Sequence, residues 1–282
     1  MVPGEVVGLH SLPVELLHDV QLLALSEHLP YTSKRLRQVY HGSSPLYRAK
    51  YIFFRLYDVR NESDMLTRAL RYPSCSIDVL EAFRLLVKRN RDGNKESFPE
   101  TDPQEDGTPL KATPEKEEKD AKKRLFDLPR RLFRNLDKRP KWTDNDAPLP
   151  YLRHLFNTFK DDDDVGLRPD ANANQGYALT KAVHIRSIPL VQFLLEHGAS
   201  PEPKDCLAII VAIRQKNLPL VKMLIERPGA SSSKKRRRLE DRVKPDVKML
   251  KEAVRCKARD ITEYLYHEKG VVPDMTTLQM MM

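Results

Sequence analysis

The sequence predicts an all-α protein: a short N-terminal helical module, then an array of repeated helix pairs broken by charged inserts. Three observations carry this. Apolar residues recur three and four apart along most of the chain, and β-branched alternation is rare. Glycine is scarce, with 10 in 282 residues. A stretch of about thirty residues also recurs in the C-terminal half, and a period in that range marks a stacked array.

Residues 9–56 form the expected N-terminal module. Leu12-Pro13-Val14-Glu15-Leu16-Leu17-His18-Asp19-Val20 opens a helix. Proline suits the first helical position and Glu15 the positive end of the helix dipole. Leu12, Leu16, Leu17 and Val20 are expected on one face. A second amphipathic helix with a basic outer face follows Pro30 and contains Leu36 and Val39. A third runs from Tyr47.

Two weaker helix pairs are expected next. The first covers 62–90, with Leu66-Thr-Arg-Ala69-Leu70 followed by Ile77 to Phe83. The second covers 125–170, with Arg131 to Leu136 followed by Leu149 to Phe156. Between them, residues 91–124 hold 18 charged residues and almost no apolar ones. Such a stretch cannot bury enough surface to offset its ordering entropy, so a disordered insert is expected. Residues 160–176 read as a polar loop.

The repeat occupies 173–274. Ala182 matches Ala212, and Pro189-Leu190-Val191 matches Pro219-Leu220-Val221, at a spacing of 30. A third copy runs from Met249 through Ala253 to Gly270, displaced by a basic insert at 229–245. Each unit reads as two short antiparallel helices. The small alanine permits close approach, a proline starts the second helix, and Gly198 or Gly270 ends it in the left-handed conformation. The second helices are expected to bury Leu190, Phe193 and Leu194, and then Leu220, Met223 and Leu224. One pair cannot cover its own apolar face, so the copies must stack.

The pattern resembles the ankyrin repeat. The family's Thr-Pro-Leu-His-x-Ala stands here degraded, as Tyr-Ala-Leu-Thr-Lys-Ala182. Its Leu-Leu-x-x-Gly-Ala stands intact at Leu194 to Ala199. The N-terminal module resembles a degenerate F-box of the kind found ahead of fungal ankyrin arrays. It has the Leu-Pro-x-Glu-hydrophobic-hydrophobic opening at 12–17 and the Ser-Lys-Arg step at 33–35. It departs from the family in a short middle and in lacking a Trp after Arg35, the sole Trp being Trp142.

That resemblance implies docking on the Skp-type adaptor of a cullin ubiquitin ligase through Leu12, Pro13, Leu16, Leu17, Val20, Leu36 and Val39. It also implies a protein target held by Tyr177, Lys181, His184, Arg186, Arg214 and Lys216. Read without the resemblance, residues 9–56 are a helical cap on the array, and the chain is then a nuclear ankyrin-repeat scaffold with no ligase role.

Other chemistry finds little support. Cys75, Cys206 and Cys256 are far apart and odd in number, which excludes a disulfide framework and a CxxC zinc module. No metal site is expected: the histidines are not paired at i, i+4, and the Asp161 to Asp164 run lacks a calcium-loop spacing. No phosphate-binding glycine motif or nucleophile elbow occurs, so neither catalysis nor a cofactor is expected. No run of 18 apolar residues and no signal peptide is present, so no membrane association is expected and a reducing compartment, nucleus or cytoplasm, is.

The net charge of +9 is concentrated in Lys234-Lys235-Arg236-Arg237-Arg238. This run resembles a nuclear import signal read by an importin-type receptor. Phosphate contact and a plain solvated loop are the competing readings. The rest of the chain is nearer neutrality, and aromatics are only 7%, so a nucleic-acid surface is not expected.

Overall fold

A proline cannot donate a backbone hydrogen bond, and the first helix begins immediately after one. In the computed structural model, which describes residues 8–59, 61–91, 124–160, 166–227 and 241–281, Pro13 precedes α1 (Val14–Ala24). Leu25 closes α1 at φ 44°. The Ser33 hydroxyl accepts from the Leu36 N–H and caps α2 (Lys34–Gly42). Ser44 does the same for α3 (Pro45–Arg55) through Tyr47. Asn61 caps α4 (Glu62–Ala69), and α5 spans Ile77–Arg91. Each cap satisfies a donor that the helix itself cannot.

The chain divides into two units. One gathers the described residues of 1–126 and 159–168, the other those of 127–158 and 169–282. In the first, α3 is the centre. Ala49, Tyr51, Ile52, Phe53 and Phe54 are all buried, and Phe53 meets Phe83 of α5 edge-on at 6.2 Å between ring centroids. The segments expected as a module at 9–56 and a helix pair at 62–90 therefore belong to one packed body. α3 is apolar on too many sides for one partner helix to cover.

Five tyrosines of this unit, Tyr31, Tyr40, Tyr47, Tyr51 and Tyr72, hold their phenol protons more tightly than usual, in each case chiefly because burial disfavours the phenolate. Tyr40, which shares a 3.0 Å hydrogen bond with Ser74, is pushed up to about 12. The unfolded chain releases these protons first, near its ordinary value of about 10. The contribution of these tyrosines to stability should therefore be constant below about pH 10 and fall as pH rises towards 12. Thermal unfolding monitored across that range, alongside tyrosinate absorbance, checks it. A flat profile to pH 12 would contradict the burial argument.

A short sheet pairs β1 (Arg124–Asp127) with β2 (Leu167–Asp170). β2 lies where a polar loop was expected over 160–176. Leu167 and Pro169 point inward while Arg168 is exposed, an alternation too short to stand out among the surrounding charges. Helices α6 (Arg131–Arg134) and α7 (Leu149–Thr158) precede the repeated region.

The second unit's main body is six helices: α8 (Ala173–His184), α9 (Ile188–Glu196), α10 (Pro203–Arg214), α11 (Leu218–Ile225), α12 (Val247–Arg255) and α13 (Arg259–Glu263). A π turn (Tyr264–Glu268) extends α13, and α14 (Met275–Met281) follows. α10 packs against α8 on one side and α12 on the other, while α8, α10 and α12 each pair with the helix that follows. Ala182, Ala212 and Ala253 are wholly buried in this row. Leu190, Phe193, Leu194, Leu220 and Leu224 are buried from the second helices, while Met223 is half-buried. Each such side chain stabilises the fold by roughly 1.5–3 kcal/mol.

The three pairs share one turn, residue for residue. Ser187 N–H reaches the Ala182 carbonyl at 3.1 Å and Arg186 N–H the Val183 carbonyl at 3.0 Å. Asn217 and Lys216 bond Ala212 and Ile213 at 3.2 and 2.8 Å, and Ala258 and Lys257 bond Ala253 and Val254 at 3.0 and 2.9 Å. This is the two-bond helix stop that requires a left-handed residue. Here that residue is Arg186, Lys216 or Lys257, at φ 61°, 53° and 55°. A second left-handed element opens α8 at Asn174-Gln175-Gly176 and α10 at Lys204-Asp205-Cys206. A Cβ on Gly176 would stand 3.3 Å from Pro203, so the two openings lie against each other.

Candidate functional site

One candidate surface lies on α1 and α2. Consecutive residues of a helix are separated by 100°, so Leu16 and Leu17 cannot share a face. Leu17 is fully buried, and so is Gln21 one turn on. The Gln21 amide donates to the Leu36 carbonyl of α2 at 3.2 Å and accepts from the Tyr47 hydroxyl of α3 at 3.3 Å. Tyr47 also donates to the His18 carbonyl at 2.7 Å. Polar bonds thus lock α1 to its neighbours through one side.

The other side is open. Leu16 is 48% and Leu23 60% exposed, with Val20 half-exposed between them, while Val14, 44% exposed, lies on roughly the opposite side of the helix. Pro13 is exposed, while Leu12 is half-buried with its carbonyl held by the Arg35 guanidinium at 2.7 Å. A separate open groove of about 490 Å³ lies between α1 and α2, on another side of α1, lined by Val14, His18, Arg35, Gln38, Val39 and Gly42.

The seven residues expected to dock an adaptor therefore separate. Pro13, Leu16 and Val20, with Leu12 and Val39 in part, are accessible. Leu17 and Leu36 are core, at 0% and 3% exposure, and cannot contact a partner without unfolding. Leu23 belongs to the open face although sequence reasoning did not single it out. The i, i+4, i+7 relation of Leu16, Val20 and Leu23 marks them as one stripe, but not whether that stripe is covered. Gln21, a lone polar residue on the inward face, was the sign of the polar lock.

A second surface is formed by the repeated turns. Arg186, Arg214, Lys216 and His184 are exposed there, and Lys181 is half-buried. Burial foremost, with the charges of Lys138 and Lys181, lowers the His184 pKa and favours its neutral form. Adjacent turns are tied together. Gln215 donates to the Val183 and His184 carbonyls at 3.2 and 3.0 Å and accepts from Arg186 at 3.1 Å. Arg214 meets Glu252 of α12 at 2.6 Å. Tyr177 stands apart from this edge, its ring covered by the Arg130 guanidinium at 5.4 Å. Trp142 joins the edge, because its indole N–H donates to the Ile185 carbonyl at 3.3 Å and Arg139 lies over its ring at 5.2 Å.

A third feature is a buried charge cluster. The Lys269 ammonium lies 2.8 Å from both Asp241 oxygens and 3.2 Å from Glu226. The Tyr264 hydroxyl donates to the same Glu226 oxygen at 3.0 Å. Its pKa is strongly raised, first by burial and then by the charge of Glu226. The Arg242 N–H bonds the Ile225 carbonyl at 2.7 Å, and Val243 is buried. The basic insert expected over 229–245 thus gives way to packed chain from Asp241 onward, because one acidic residue beyond the basic run finds a buried lysine.

Lys234 to Arg238, most of the insert expected over 91–124, and Asp161 to Asp164 lie outside the described residues. Among the described residues no helix is long and apolar enough to cross a membrane. No group of three or more His, Cys, Asp or Glu stands together as a metal cage among them. Compared with known proteins, the chain matches no family model, no curated protein and no solved structure.

Proposed function

We propose that this chain is the substrate-receptor subunit of a cullin-type ubiquitin ligase. Its F-box-like N-terminal helices dock a Skp-type adaptor, and its ankyrin-like helix pairs form a stacked array that holds a protein target. The chain contributes no catalytic group of its own. The observation that supports this most is the open face of α1. Leu16, Val20 and Leu23 are turned to solvent on a helix whose opposite side is fixed by buried hydrogen bonds. A rigid helix with an uncovered leucine stripe suits docking on an apolar partner groove. In the same reading the basic run Lys234 to Arg238 engages an importin-type receptor, and the protein acts in the nucleus, the cytoplasm or both.

A scaffold without a ligase role has one observation in its favour. α1 to α3 pack with α4 and α5 in one unit, so the N-terminal helices serve that unit's core apart from any docking role. Adaptor binding separates the two. With purified Skp-type adaptor, Leu16→Asp combined with Leu23→Asp should weaken binding at least about 25-fold, the equivalent of about 2 kcal/mol for loss of a central anchor. Thermal stability should be unchanged, because both side chains are exposed. If the unmodified chain shows no adaptor binding, the scaffold reading replaces the ligase reading.

A further inference from the structure

The left-handed position of a helix stop favours glycine, since a Cβ there costs about 1–2 kcal/mol. This chain obeys the preference at the far end of its second helices, where Gly198 and Gly270 take φ 85° and 68°. It breaks the preference at all three turns between first and second helices, and each time the residue is basic: Arg186, Lys216 and Lys257. The helix dipole offers a cation at this end about 0.3–1 kcal/mol. That is no more than the backbone cost, and the mutual repulsion of neighbouring cations subtracts from it.

The three cations lie on one continuous edge. Gln215 links the first turn to the second, and the Arg214–Glu252 pair links the second helix row to the third. Lys181 and Lys138 add positive charge beside His184 at the first turn. Glu252 is occupied by Arg214 and Arg255. Among the described residues, no carboxylate forms an ion pair with Lys181, Arg186, Lys216 or Lys257. Arg186, Lys216 and Lys257 are exposed.

We infer that this edge binds an acidic segment of a partner polypeptide, laid across the three turns so that its carboxylates meet Arg186, Lys216 and Lys257 in succession. The inference rests on the reading of the repeated turns as the target-binding face, and it names the chemistry of the target. Cations on successive turns of a hydrogen-bonded framework select spaced carboxylates, because the framework is ordered before binding and little more entropy is lost. Lys257 was not among the residues singled out from the sequence. It joins the set because the third turn repeats the geometry of the first two.

The test uses the full chain and a fluorescent oligoglutamate peptide, followed by anisotropy at low ionic strength, where exposed charges are least screened. Replacing Arg186, Lys216 and Lys257 together by Gln should weaken binding at least about tenfold. A second variant with Gly at all three positions should lose binding equally while melting no lower than the unmodified chain, because Gly relieves the left-handed backbone. A control with the exposed Arg68, Arg71 and Arg134 changed to Gln removes the same charge elsewhere and should bind within about twofold.

Equal losses in the control would reduce the effect to net charge and overturn the inference. Unchanged binding in the Gln and Gly variants would place any peptide site elsewhere, Lys234 to Arg238 being retained in every protein. Tighter binding of a single-stranded oligonucleotide of matched charge, lost in the same variants, would make the edge a nucleic-acid surface instead. No adaptor is present in this assay. Failure of adaptor docking with intact peptide binding removes the ligase role alone, and the reverse pattern removes this inference alone.

Discussion

Asp241→Ala should destabilise the second unit by about 3 kcal/mol, the low end of the about 3–5 kcal/mol typical when one partner of a buried ion pair is removed. The Asp241 and Lys269 side chains are 3% and 4% exposed, so water screens neither. Alanine would leave the Lys269 ammonium with Glu226 as its remaining carboxylate, at 3.2 Å. Asp241→Asn, which keeps a hydrogen-bond acceptor in place, should cost less than alanine. Lys269→Met combined with Asp241→Leu should also cost less than Asp241→Ala alone, because removing both charges leaves none stranded. Denaturant unfolding of the variants measures all three. Asp241→Ala with an unchanged midpoint would mean that the cluster contributes nothing to folding and that the chain around Arg242 and Val243 is held by packing alone.

Leu17→Ala should cost about 2–5 kcal/mol, whereas Leu16→Ala should lie within about 0.5 kcal/mol of the unmodified chain. The two residues are adjacent and chemically identical, and both belong to the leucine motif at the start of the first helix. Leu17 is 0% exposed and its truncation opens a cavity beside Gln21, whose bonds to Leu36 and Tyr47 then lose their packing support. Leu16 is 48% exposed and its truncation removes little contact. Under the proposed adaptor docking, binding should respond to each for a different reason: Leu17→Ala through loss of the folded module, Leu16→Ala through the exposed stripe while the melting curve stays in place. Comparable destabilisation by both would mean that α1 is rotated from the orientation described.

The sequence by itself determined the helical class and the positions of the repeated pairs. A 3.6-residue apolar period and recurring Ala, Pro and Gly are local signals, read within one turn or one hairpin. Pro189 and Pro219 begin second helices, Gly198 and Gly270 end them, and Ala182, Ala212 and Ala253 are buried as their small size requires. Only the tertiary structure decided which face of α1 is open. Leu16 and Leu17 have the same hydrophobicity, and the choice between them depends on where α2 and α3 supply the partners of Gln21. Only the tertiary structure also brought Asp241 to Lys269, 28 residues apart in sequence, and placed Arg186, Lys216 and Lys257 on one edge. A charge's partner and a surface's continuity are properties of elements distant in the chain. No local pattern of side chains encodes them, since the free energy of a charge depends on its burial and neighbours rather than on its position in the sequence.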